Sequence, residues 1–436
     1  KLYLLLFRDT RGMTPPITSR IAGYAGVTLY EAVVPGMPTH QSLAGQLNGL
    51  TQVPQPVPGE EYHWPTVANN ALGSITRLLF PRAEKGHREA IDSLEARFNQ
   101  EFKAQLDSDV FTRSVNFGGA VALAIYQWSL TDGGATLANF PTDYTPPVGP
   151  GLWEMTPRKL DRGMPQAPLP AMQPYWGNVR PFVLSSGQEC DPGPPPAYSQ
   201  DPSSQLYKEA LEVYNTVRSN TPEQLEIALF WADDPGKTAT PPGHSLSIVT
   251  QVIQQKGYTL DVAAEAYARV GIAVADAFIS CWATKYRYNL LRPITYIQKV
   301  IDPSWNNPVV TDPVETPPFP EYTSGHSVQS GATAQVLTDM FGEMSFTDWT
   351  HSTLGPAPRE PRSFLEAYLA SPGDTLDIRQ FTLSPRSFSS FFEAAEEAAI
   401  SRLYGGIHYR TAIERGLEQG KCVGKRVSAL KFRKDR

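Results

Sequence analysis

The stretch LDVAAEAYARVGIAVADAFISCWATKYRYNL, Leu260–Leu290, decides the fold. Apolar side chains recur along it at three- and four-residue spacing: Ala263, Ala266, Val270, Ile272, Ala275, Phe278 and Ile279. That is the helical period, and a helix this long and this apolar belongs at the centre of a bundle. The same spacing predicts helices before it at Ser203–Val217, Thr221–Trp231 and Leu246–Gln255. After it come Ser327–Phe341, Ser387–Tyr404 and a helix around His408–Gly420. Farther upstream, Ile17–Val34, Trp64–Leu79, Ala83–Leu106 and Asp109–Leu130 read as a second helical group. Between the groups, Phe140–Pro202 is crowded with Pro and Gly, as in Tyr144-Thr-Pro-Pro-Val-Gly-Pro-Gly and Cys190-Asp-Pro-Gly-Pro-Pro-Pro-Ala. Such a stretch cannot run as helix and is expected to be a long ordered connection. No alternating β-branched run is present. The expected class is all-α: two packed helical bundles, residues 1–139 and 203–436, joined by residues 140–202, with the chemistry in the second.

Composition narrows the function. The chain has 436 residues, with 41% hydrophobic, 19% charged and a net charge of -6. These values fit a globular domain and give no attraction for nucleic acid or anionic lipid. The basic run Lys431–Arg436 reads as a solvated tail. No apolar stretch approaches the roughly 18 residues of a membrane span, and Leu2–Phe7 is too short for an anchor or a signal peptide. A processed leader could precede Lys1, so secretion or a periplasmic location stays open. Cys190, Cys281 and Cys422 are odd in number and widely spaced, which indicates neither a disulfide framework nor a zinc site.

Three segments of the second half carry the chemistry. In Lys285-Tyr-Arg-Tyr-Asn-Leu-Leu-Arg292-Pro293, seven residues make nearly two helical turns, so both cations can point the same way. Pro293 turns Arg292 out of the helix. In Phe319-Pro-Glu-Tyr-Thr-Ser324-Gly325-His326, the prolines Pro313, Pro317, Pro318 and Pro320 keep the approach extended, and a helix begins just after Gly325. A helix N-terminus offers free N–H groups and a positive dipole end to an anion. Gly325 permits close backbone approach, and the Ser324 hydroxyl can donate. In Ser401-Arg402-Leu-Tyr-Gly405-Gly406-Ile-His408, the glycine pair breaks the helix and can turn Arg402 and His408 inward. Each segment alone has an ordinary reading: a cationic helix end, a serine N-cap, a helix corner. Together they form a cage for a tetrahedral oxyanion, with Arg forks and a Lys point charge for its oxygens.

The pattern K-x6-RP, SGH, SR-x5-H resembles the shared motif of the vanadium haloperoxidases and the type 2 phosphatidic acid phosphatases. The resemblance implies a vanadate cage of Lys285, Arg292, Ser324, Gly325, Arg402 and His408. His408 would be the vanadium ligand, or the phosphorylated nucleophile in a phosphatase. His326 would exchange protons, and Lys285 would polarise bound peroxide. Phosphate or sulfate could occupy the same cage. Trp282 and Phe319 resemble halide-pocket residues of the haloperoxidase branch. The segment from Phe230 to His244 resembles one whose Asp partners the acid–base His, a role that falls on Asp234. Arg20–Glu31 resembles an N-terminal helix of bacterial members. Two positions depart from the pattern: Thr323 stands where Pro is common, and Ala412 where an Asp usually holds the ligand His. Glu414 is a candidate to compensate for Ala412.

The implied partners are hydrogen peroxide, a halide (iodide or bromide foremost) and small organic acceptors, with hypohalous acid as product. The runner-up is a phosphomonoesterase with His408 as covalent nucleophile, and a third possibility is a non-catalytic helical scaffold. A metal hydrolase is disfavoured, because His40, His63, His87, His244 and His351 form no HExxH or paired-ligand spacing.

Overall fold

The computed structural model describes residues 1–156, 160–161, 164–165, 167–305, 314–353 and 383–434. Pro313 and the last two residues of the basic tail lie outside them, as do parts of the connection. The described chain is predominantly helical. Its main helices are α1 (Leu2–Asp9), α2 (Pro15–Val33), α3 (Trp64–Leu79), α4 (Lys85–Lys103), α5 (Ser108–Ser129), α6 (Gln205–Ser219) and α7 (Pro222–Phe230). They continue with α8 (Thr240–Lys256), α9 (Leu260–Tyr288), a single turn α10 (Pro293–Tyr296), α11 (Gly325–Phe341), α12 (Phe391–Tyr404) and α13 (Arg410–Ser428). Among the described residues, strand is confined to two short antiparallel pairs, Leu160–Asp161 with Met164–Pro165 and Phe346–Asp348 with Arg386–Phe388.

The stretch that opens the sequence argument is the central helix. In α9 nearly every side chain from Ala264 to Lys285 is buried. Its principal neighbour is α2, from the other end of the chain, and small residues set the spacing between them. A Cβ on Gly26 would lie 2.4 Å from the Tyr267 carbonyl oxygen, and one on Gly271 2.4 Å from that of Ala22. Only glycine lets two backbones approach so closely. One apolar core therefore runs through both sequence halves, from Leu6, Val27 and Val67 to Ile272 and Val328. A second cluster around Leu206, Ile294, Tyr296, Tyr409 and Ile413 sits under the turn that carries Arg292.

The Pro/Gly-rich connection is held against α9 rather than looped away from it. Asp276, mid-helix and buried, accepts the backbone N–H groups of Phe182, Val183 and Leu184 at 2.6, 2.8 and 3.1 Å. The Met172 carbonyl accepts from Trp282 Nε1 and Tyr286 OH.

Two expectations need correction. Helix α8 begins six residues earlier than the periodicity suggests, because Pro241 and Pro242 occupy its first turn, where a missing N–H costs nothing. Leu2–Phe7, too short for an anchor, lies in α1, with Leu4, Leu6 and Phe7 buried in the core. Cys190 and Cys422, whose number and spacing indicate no disulfide framework, form a disulfide across 232 residues, and Cys281 is free and buried. No described helix is long and apolar enough to cross a membrane.

Candidate active site

The last turns of α9 deliver Trp282 and Lys285 before Asn289, in the left-handed region at φ 47°, ends the helix. Arg292 follows in extended backbone (φ -74°, ψ 153°), as Pro293 requires. Its guanidinium donates through Nε to the Phe319 carbonyl at 2.9 Å and through Nη1 to the Ile407 carbonyl at 2.9 Å. The same Nη1 stands 3.3 Å from His408 Nε2. Lys285 donates to the carbonyls of Pro320, Glu321 and Thr323 at 3.1, 2.9 and 2.5 Å, so it fastens the loop that leads into α11.

Ser324 caps α11. Its hydroxyl oxygen accepts the Ser327 N–H at 3.4 Å, which leaves the hydroxyl proton free to donate elsewhere. A Cβ on Gly325 would meet nothing closer than Trp282 at 3.8 Å and Phe278 at 3.9 Å. The protein's own packing thus leaves the backbone bare beside the cavity. Arg402, buried on α12, donates to the Ala228 carbonyl at 2.8 Å and from Nε to Ser401 Oγ at 2.9 Å. Gly406, at φ 72°, makes the turn that brings His408 back toward it.

These groups converge. Gly325, His326, Arg402 and His408 line one cavity of about 390 Å³, with Phe278, Trp282 and Phe319 on its apolar wall. Arg292 stands beside the cavity-lining His408, with Nη1 3.3 Å from its Nε2. The Phe319 ring lies 5.1 Å from Lys285 Nζ and 5.0 Å from Arg292 Cζ, and 4.9 Å from the Trp282 ring. Burial, then Arg292, Lys285, His326 and Arg402, hold the His408 pKa well below the usual imidazole value. One imidazole thus feels the three predicted cations and the second histidine.

The charge is unbalanced. Burial lowers Arg292 and Arg402 to about 10 and Lys285 to about 8. Burial and then Arg402 bring His326 to about 3, against Asp233 and the Trp231 carbonyl. Arg292 Nη2 and His326 Nε2 are buried without a hydrogen-bond partner. Leaving such groups unpaired costs on the order of 1–3 kcal/mol each, more when charged. A tetrahedral oxyanion would satisfy both orphan groups and relieve the crowded cations. The residues present fit vanadate, and they fit phosphate or sulfate on the same grounds.

Sequence reasoning missed the residue that orients His408. Glu321 Oε1 accepts the Tyr409 N–H at 2.9 Å and lies 2.7 Å from His408 Nδ1. Burial pushes the Glu321 carboxyl up to about 8; in its ionised form the oxygen that already accepts an amide takes the Nδ1 proton as a second donor, and Nε2 keeps its lone pair. Glu321 therefore does what the Asp missing at Ala412 would do. Glu414 does not: it is exposed and lies 3.9 Å from Arg410. The Ala412 carbonyl instead accepts the Ser324 N–H at 3.0 Å. Thr323, in place of Pro, donates to Gln419 at 2.6 Å and removes no cage member.

The expected pairing of Asp234 with His326 does not form. Asp234 accepts from Lys237 at 3.0 Å. The carboxylate whose charge acts on His326 is Asp233, itself tied to His244 and His351.

The backbone matches the crystal structure of the first bacterial vanadium-dependent iodoperoxidase with a TM-score of 0.79 and 36% identity, over 98% of this chain and 93% of that one. The chain belongs to the vanadium-dependent haloperoxidase family. Residues 265–434 match the family described as VCPO second helical-bundle domain. The vanadium chloroperoxidase of Curvularia inaequalis is 25% identical over 295 residues, 58% of this chain. That alignment spans about half, 48%, of the Curvularia protein. Apo and holo forms of a bacterial vanadium-dependent chloroperoxidase share the haloperoxidase fold at 16% and 15% identity, with TM-scores of 0.68 and 0.69. They cover 96% and 97% of this chain, and it covers 94% and 93% of theirs.

Proposed function

We propose that the cage binds vanadate and that the chain uses hydrogen peroxide to oxidise halide, iodide or bromide foremost, to hypohalous acid that reacts with small organic acceptors. The observation that carries this is the set of buried cations and imidazoles around His408, with Arg292 Nη2 and His326 Nε2 lacking partners. The 36% identity to a bacterial iodoperoxidase over nearly its whole length supports the same chemistry.

Bound vanadate supplies a Lewis acid that activates peroxide without changing oxidation state. The chain's residues do the rest. His408 would offer the Nε2 lone pair as the vanadium ligand, with Glu321 fixing its ring plane. Arg292, Arg402, the Gly325 N–H and the Ser324 hydroxyl hold the oxyanion's oxygens. Lys285, now on the Pro320, Glu321 and Thr323 carbonyls, would place its positive charge beside the anion and polarise an oxygen held there. His326, neutral at ordinary pH, takes a proton from incoming peroxide at Nε2 and returns it to the departing oxygen. Trp282 and Phe319 form a dry wall beside the oxyanion, where a weakly hydrated halide is less disfavoured than water.

The division into an N-terminal bundle (1–139), a connection (140–202) and a catalytic bundle (203–436) belongs to the same proposal. So does an oxidising compartment, secreted or periplasmic, which the Cys190–Cys422 disulfide supports.

The test is a halide-oxidation assay with peroxide on protein stripped of oxyanion and then loaded with vanadate. The expected order is iodide, then bromide, then chloride. No halide oxidation after loading, together with p-nitrophenyl phosphate hydrolysis by the vanadate-free protein, would make the chain a phosphatase instead.

A further inference from the structure

Asp233 faces the vanadate cavity on one side and two imidazoles on the other. Its Oδ2 lies 2.8 Å from His244 Nδ1 and its Oδ1 3.3 Å from His351 Nε2. One ligand atom from each of these three residues can be chosen so that all lie within 4.8 Å of one another. The far nitrogen of His244, Nε2, is 2.6 Å from Asp348 Oδ2. Asp348 is in turn fixed by the Thr350 N–H and hydroxyl at 2.9 and 2.6 Å and by Gln251 at 3.2 Å. Trp231 stacks on His244 with ring centroids 4.4 Å apart, and Phe230 packs against both imidazoles. His351 Nε2 is buried and makes no hydrogen bond, although Asp233 is close.

A carboxylate that holds one nitrogen of an imidazole, with the other nitrogen turned toward further donors, is the arrangement that orients a histidine for a metal ion. Two imidazoles and a carboxylate suit borderline divalent ions, zinc above all, and leave a fourth position for water. We propose that Asp233, His244 and His351 bind one divalent transition-metal ion, with Asp348 orienting His244. The separations of 11 and 107 residues hide this set from any spacing rule.

Three segments would be tied by the ion: the loop after α7, helix α8, and the short helix Thr350–Thr353. Ala232, Asp233, Asp234, Pro235 and Lys237 line the vanadate cavity, so the ion would brace one wall of it. Occupancy of the metal site does not require vanadate.

The experiment uses the untagged full chain, stripped with chelator and titrated with Zn²⁺ by calorimetry. Retained metal is then measured after gel filtration. One retained equivalent of zinc and a raised Tm are expected. His351→Ala and His351→Gln should each lose at least about tenfold in affinity, while circular dichroism and vanadate binding report that both variants are folded. His351→Cys loaded with Co²⁺ should show a thiolate-to-cobalt charge-transfer band, which appears only if position 351 is a ligand. No retained equivalent in the parent, or unchanged zinc affinity in both folded His351 variants, would overturn the proposal.

Discussion

The oxyanion cage and the Asp233–His244–Asp348 cluster are both buried, and both reach the same cavity, yet their charge balance is opposite. In the cage, three cations surround His408 and Glu321 is the nearby carboxylate. In the cluster, two carboxylates flank one imidazole. The histidines report the difference. Burial and Arg402 bring His326 to about 3, whereas Asp233 and Asp348 outweigh burial and hold His244 up to about 10. A buried charge must find a partner. Without a metal the cluster finds its own within the chain, and His244 must give up a proton to bind a metal, while the cage leaves donors open and is complete only with an anion.

The largest effect expected from breaking this contrast is on the cage. Arg292→Ala should weaken vanadate binding by about 2–5 kcal/mol, roughly 30-fold to several-thousand-fold, because it removes a buried charge-assisted partner. Zinc affinity should be unchanged, and equilibrium dialysis with each ion reads both. Next comes Glu321→Gln, expected to cost about 10–100-fold in vanadate affinity through loss of His408 orientation. The exposed Glu414→Gln should match the parent, and equal effects from the two would return the compensating role to Glu414.

The pH response of His326 has a definite sign. Its folded pKa, about 3, lies below the ordinary value of 6.5. Its contribution to folding is therefore fully present above about pH 6.5 and is lost as pH falls from there toward 3. In vanadate-free protein, Tm should fall more steeply over that window than in His326→Gln, as differential scanning calorimetry can record. Parallel curves would mean that His326 is not buried and neutral. The smallest effect belongs to Asp234→Asn. Its partner Lys237 is about half exposed, and such pairs contribute about 0–1 kcal/mol. Its kcat/KM should stay within about threefold of the parent, whereas Asp233→Asn should move the acidic limb of the pH–rate profile.

Much of this was legible in the sequence. Helical period located α3 to within a residue and α9 nearly so, and the cage residues lie in three short segments whose internal spacings a helix can interpret. What stayed hidden is what depends on distance along the chain. Glu321 and His408 are 87 residues apart, the disulfide partners 232. The continuous core shared by α2 and α9 rests on Gly26 and Gly271, which sequence alone cannot pair. Neighbouring carboxylates such as Asp233 and Asp234 are indistinguishable until the turn that carries them is seen, because a one-residue shift aims the side chain at a different neighbour.

The most direct test of the central claim is a crystal structure of the protein loaded with vanadate, with vanadium located by its anomalous signal. A single vanadium site is expected, bonded to His408 Nε2, with its oxygens on Arg292, Arg402 and the Gly325 amide. Vanadium bound elsewhere, or a cavity without it at saturating vanadate, would contradict the account.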